Sequence, residues 1–187
     1  LALWDWFGAE LTDTPRRNDR FALAARLNAL YPGEGPFWFN GLHADLPGLP
    51  RRRPVWRQDW PSERRLAEVR APRAFPLWQM GGAGAVGGQA MTGMAALSRL
   101  RARLGAAVAV WPFEPIEAPV VLVEVWPSLF AAEIAATRAP GEVKDAAQVR
   151  VLAGRIALMQ AEGRLAEALS CPAEAAAEEG WILGLGA

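Results

Sequence analysis

The 187-residue chain has one cysteine, one histidine and one tyrosine, and a single lysine among its 20 basic residues. Cys171 has no partner for an internal disulfide, and with His43 as the sole histidine the Cys/His ligand sets of zinc sites are excluded. A Ser–His–Asp triad would have to use His43, and no G-x-S-x-G nucleophile elbow occurs. The most continuous apolar run, Val120 to Val125, is interrupted by Glu124 and is far too short to span a bilayer. No secretion signal is recognisable, so the expectation is a reducing, cytoplasmic setting without a membrane partner.

What is present is apolar and globular: 52% hydrophobic residues, 20 basic against 20 acidic side chains, and enough length to bury a core. The charge is unevenly spread. Residues 1–110 carry 15 arginines against nine acids, net +6, and residues 111–187 carry five basic groups against 11 acids, net −6. A basic first part points to nucleic acid or a phosphorylated ligand, and equally to two halves that complement each other. The chain opens Leu1-Ala2-Leu3-Trp4-Asp5-Trp6-Phe7, already in a helical pattern and without an initiator methionine. It therefore reads as lacking a natural N-terminal portion.

Helical spacing predicts helices over residues 1–11 and from an Asn18-Asp19 cap to Pro32-Gly33. Residues 32–76, rich in proline, glycine, tryptophan and arginine, read as an irregular insertion with one short helix from Ser62 to Val69. After a glycine-rich turn a helix is expected to about Leu104. Strands are expected at 108–111 and 120–125, the second as a central strand buried on both faces. Helices follow from Pro127 to Ala136, from Val143 to Met159 and from Pro172 to Glu178. The class is α/β.

The glycine turn, residues 80–89, cannot be a strand or helix interior, because glycine loses the most backbone freedom on folding and offers nothing to pack. Leading into a helix, it marks a place where unpaired N–H groups and the positive dipole end favour an anion. Gly84, Gly87, Gly88 and Gln89 are the candidate phosphate-binding residues. The stretch Gly82 to Gly87 matches G-x-G-x-x-G, but a proline interrupts the segment before it and the next acid, Glu114, comes 27 positions after Gly87. The dinucleotide fingerprint needs a preceding strand and an acid about 20 positions on, so the match is accidental.

Glu124, at the end of the apolar strand, is the foremost catalytic candidate. A carboxylate there is costly unless it is hydrogen-bonded, paired or bound to metal, and sites of α/β sheets gather at the carboxyl ends of strands. The plainer reading makes it a helix cap or an arginine's partner. The run Lys144-Asp145-Ala146-Ala147-Gln148-Val149-Arg150 supplies further candidates: Lys144, the only lysine, Asp145 as a second carboxylate, and Arg150 for phosphate. A solvated first turn of helix explains them as well. With zinc sites excluded, any bound metal would be held by carboxylates, hence Mg2+ or Mn2+. Trp38, Trp56 and Trp60 beside Arg51–Arg53 and Arg57 would suit stacked bases with arginine-held phosphates, or simply anchor loops.

The chain resembles a family of uncharacterised bacterial proteins with an RNase H-like fold, expected to be nucleases, one branch of which carries the label molybdopterin-guanine dinucleotide synthesis protein. The resemblance rests on Asn18-Asp19-Arg20-Phe21, Gly35-Pro36-Phe37-Trp38, Gly84-Ala85-Val86-Gly87-Gly88-Gln89-Ala90, Val110-Trp111-Pro112-Phe113-Glu114, Glu124-Val125-Trp126-Pro127-Ser128-Leu129, Lys144 to Arg150, and Glu178 to Gly184, in order over nearly the whole chain. It implies an RNase H-like mixed sheet flanked by helices, 1–187 forming one incomplete domain with 32–76 inserted. Glu124 and Asp145 would be metal ligands in a nuclease that holds two cations about 4 Å apart. The leading aspartate strand of the family would lie upstream of Leu1, so this chain is expected to be inactive alone, with an open sheet edge. The rival expectations are a nucleotide- or cofactor-binding protein of molybdopterin-guanine dinucleotide synthesis, and a non-catalytic interaction domain.

Overall fold

The structure, a computed structural model, describes residues 1–186. Helix, 45% of the chain, far outweighs strand, 8%, so the architecture is mixed helix and strand with only small sheets. The chain forms two compact units, Leu1–Val108 and Ala109–Ala187.

The first unit is built on α1 (Ala2–Glu10), α2 (Arg20–Asn28), α3 (Leu66–Arg70) and α4 (Gly87–Leu104). A two-stranded antiparallel ribbon, β1 (Asp13–Thr14) with β2 (Arg17–Asn18), joins α1 to α2. Phe7 from α1 and Leu11 just after it, Phe21, Leu23 and Leu27 from α2, and Met91 and Ala95 from α4 fill the core with Phe37, Leu49 and Met80. Gly8 lets α1 lie close on α4, since a Cβ there would stand 2.8 Å from Ser98 Oγ. Ser98 Oγ donates to Asp5 Oδ1 at 2.8 Å, and Arg99 Nε donates to the Gly8 carbonyl at 2.9 Å. A cation over the carbonyls at the end of α1 is favoured by the helix dipole.

Asp19 is the N-cap of α2, as its sequence suggests, but its carboxylate turns back to accept the Thr12 N–H at 2.8 Å; the Arg20 N–H goes to Asn18 Oδ1 at 3.2 Å. Helix α2 ends at Asn28, short of the expected Pro32-Gly33: the Leu30 and Tyr31 N–H groups reach back only three residues, to the Leu27 and Asn28 carbonyls at 3.0 Å, and the Asn28 side chain bonds the following loop. Its Nδ2 donates to the carbonyls of Phe37 and Gly48, both at 2.8 Å, and its Oδ1 accepts the Phe37 N–H at 2.8 Å. Residues 32–76 are largely irregular as expected, and their short helix is confined to α3. Backbone pairing ties them down: the Trp38 N–H reaches the Trp78 carbonyl at 3.0 Å and the Met80 N–H reaches the Trp38 carbonyl at 2.9 Å.

The second unit contains β3 (Val108–Val110, whose first residue closes the first unit), β4 (Val120–Leu122), α5 (Ala131–Thr137), α6 (Lys144–Ala161) and α7 (Leu165–Ala168). Ile134, Ala147 and Val151 pack together with Phe130 against them. Trp181, Ile182 and Leu183 are buried near the C-terminus. The expectation of a central strand buried on both faces at 120–125 is corrected here. β4 has one ladder partner, β3, and Val120 is 46% exposed. The apolar, β-branched run suggests burial, but in this two-stranded sheet it is β3 that is buried along its whole length, while β4 runs from exposed Val120 to half-buried Val121 and Leu122. No helix among the described residues is long and apolar enough to cross a membrane.

Candidate functional site

Glycines 87 and 88, read from sequence as part of a turn, are the first two residues of α4. Their lack of a side chain is a packing requirement. A Cβ on Gly87 would lie 2.1 Å from the Leu77 carbonyl oxygen and 2.7 Å from that of Gln79; on Gly88 it would meet the Met80 carbonyl oxygen at 2.8 Å. The helix start is thus pressed onto segment 77–80, and the Gly87 N–H donates to the Gln79 carbonyl at 3.0 Å. Gly84 adopts φ +77, a conformation that disfavours side chains, with the Phe75 ring against it.

Beside this start lies an open hollow of about 520 Å³, entirely within the first unit. Arg20, Gly82, Gly88, Gln89, Thr92 and Gly93 are among its lining residues, and no carboxylate is. Arg20 stands at the first position of α2, and its Nε is 2.9 Å from where a Gly88 Cβ would be. Its Nη1 donates to Asn18 Oδ1 at 2.8 Å and its guanidinium lies 4.6 Å from the centre of the Phe21 ring. It has no carboxylate partner among the described residues. The positive ends of α2 and α4 and an arginine therefore meet with little countercharge, the adjacent Asp19 carboxylate being engaged by Thr12 and Arg17.

Of the residues singled out for phosphate, Gly88 and Gln89 line this hollow. Gly84 and Gly87 are spent on packing, and Arg150 belongs to α6 in the other unit. There Arg150 donates to Glu142 through Nε at 3.1 Å and Nη2 at 2.9 Å, and to the Thr137 carbonyl at 3.0 Å, clasping the loop between α5 and α6. Those bonds, with the Ala139 N–H, hold the Glu142 carboxyl below its ordinary pKa. A depressed carboxylate stabilises the fold above its unfolded pKa, and the contribution disappears as pH falls through the folded value. Arg150→Ala is expected to raise the Glu142 titration midpoint in carbon-detected NMR; an unmoved midpoint would contradict the clasp.

Glu124 lies in the second unit, two residues beyond β4 and exposed; its carbonyl accepts the Leu183 N–H at 2.9 Å, and it bridges in parallel to Ile182. Lys144 and Asp145 are the exposed first two residues of α6, where Asp145 complements the dipole. Neither acid lines the hollow, and no group of three His, Cys, Asp or Glu able to hold a metal occurs among the described residues. His43 is exposed in a bend, its carbonyl accepting Arg51 Nη2 at 3.1 Å. Arg20 is the residue that sequence reasoning left unassigned, although it sits in the Asn18-Asp19-Arg20-Phe21 motif. Only the approach of α2 to the start of α4 reveals it. No family model, curated protein or solved structure matches the chain.

Proposed function

We propose that the first unit binds a small phosphate-bearing ligand of the nucleotide class in the hollow at the start of α4. The observation that carries this reading is Arg20, without a carboxylate partner among the described residues and set where two helix N-termini supply further positive potential. The phosphate would sit against Arg20 and the first-turn N–H groups of Gly88 and Gln89. The rest of the ligand would lie over Gly93, whose Cβ position has no atom within 4 Å.

Calorimetric titration with GMP, GTP and pyrophosphate tests it. Arg20→Ala is expected to weaken binding about tenfold or more, the loss of one charge-assisted contact. Gly93→Leu is expected to block nucleotide but spare pyrophosphate. Binding indifferent to both substitutions, or absent from the unsubstituted protein, overturns the proposal. RNase H-like hydrolysis by Mg2+ or Mn2+ on Glu124 and Asp145 rests on the family resemblance alone. Magnesium-dependent cleavage of a polynucleotide, lost in Glu124→Gln, would be its signature.

A further inference from the structure

Nearly all the net positive charge of the first unit is concentrated in one segment. Residues 51–73 hold eight arginines against three acids, net +5, out of the unit's +6. The three acids are each held by one arginine: Glu63 by Arg53 at 2.6 Å, Asp59 by Arg57 at 2.8 Å and Glu68 by Arg65 at 2.8 Å. Arg52 and Arg73 are exposed and have no carboxylate partner among the described residues, and exposed Arg64 donates to the Ala74 carbonyl at 3.1 Å. The aromatic neighbours divide into two kinds. Trp56 packs edge-on against Trp60 at 5.3 Å and tilted on Trp78 at 5.6 Å, and Trp60 is buried, so these rings are consumed by the fold. Phe75, two residues after Arg73, rests against Gly84 and is still 53% exposed.

We propose that residues 51–75 form a docking lobe for single-stranded nucleic acid, with Arg52, Arg64 and Arg73 on backbone phosphates and Phe75 beneath a base. The proposal is independent of the hollow. Guanidinium groups without carboxylate partners, spread along an irregular segment, match a flexible chain of phosphates, and a half-exposed aromatic ring adds stacking. A membrane surface fits less well. Binding in its interface calls for an amphipathic helix with a continuous apolar face, whereas the only helix here, α3, has five residues.

Fluorescence anisotropy of a labelled oligothymidylate of about 20 nucleotides with the full chain tests this. Three phosphate contacts give a slope of log affinity on log salt near −2, so binding should weaken about tenfold or more between about 50 and 200 mM salt. The double variant R52Q/R73Q should bring that slope to about −0.7, and Phe75→Ala should weaken binding about fivefold or more. Arg16→Gln, exposed and outside the lobe, should leave both unchanged. Absence of binding at the lower salt, a slope unaltered in the double variant, or an equal loss in Arg16→Gln overturns the proposal. So does competition by polyglutamate or phosphatidylserine vesicles as effective as that by unlabelled oligonucleotide at equal charge.

Discussion

Gly87→Ala is expected to lower the unfolding temperature of the first unit by about 10 °C or more, a destabilisation of about 3 kcal/mol. The added methyl would stand 2.1 Å from the Leu77 carbonyl oxygen, a backbone atom fixed by neighbouring hydrogen bonds. Relief requires α4 to draw back from segment 77–80, which lengthens the Gly87 N–H bond to the Gln79 carbonyl and loosens Met80 and Met91 in the core. Gly93→Ala is the matched control in the same helix. No atom lies within 4 Å of its Cβ position, so removing a helix-interior glycine should be neutral or stabilise by up to about 1 kcal/mol. Differential scanning calorimetry of the pair decides the matter; equal midpoints would mean that the close approach at Gly87 is not a constraint.

Asn28→Ala is expected to cost about 2–4 kcal/mol, read as a lower denaturation midpoint with little change in slope. Asn28 is 2% exposed, and its three hydrogen bonds satisfy both backbone groups of Phe37 and the carbonyl of Gly48. Alanine leaves those groups without partners and opens a gap beside Gly35, where a Cβ would touch the Asn28 side chain at 2.5 Å. Asn28→Asp sharpens the test. It keeps the acceptor for the Phe37 N–H but turns a carboxylate toward two carbonyl oxygens, which raises the pKa of the introduced acid. Stability of that variant should therefore be greatest below the ordinary aspartate pKa and fall as pH rises through the raised one. A variant equally stable across this range would contradict the arrangement of bonds.

The helices were largely legible because their signals are local. The expected helix over residues 1–11 corresponds to α1, and the apolar spacing after Asn18-Asp19 locates the start of α2. Pro127 marks where a helical turn begins that passes into α5, and Gly105 ends α4. Two readings depended on partners and so escaped. The run Val120 to Val125 is apolar enough for a central strand, yet what covers a strand is decided by distant parts of the chain: β3 and β4 have only each other as ladder partners, and β3 is buried while β4 is not. The glycine turn advertised an anion site, but Gly84 and Gly87 answer to the Phe75 ring and the carbonyls of segment 77–80, contacts no spacing rule encodes. Arg20 went unassigned for the same reason, being 68 positions from Gly88 in the chain.

The sequence by itself determined where α1 and α2 start and where α4 stops, that one cysteine and one histidine are too few for a Cys/His zinc ligand set, and that positive charge gathers before residue 110. These follow from backbone preference and side-chain inventory, which act over a few residues. Tertiary structure alone decided that the start of α4 leans on segment 77–80, that Asn28 anchors the loop after α2, and that Arg20 faces the hollow. Each depends on which distant carbonyl or ring comes within about 3 Å of a given atom, a distance at which contact and hydrogen-bond energies change steeply.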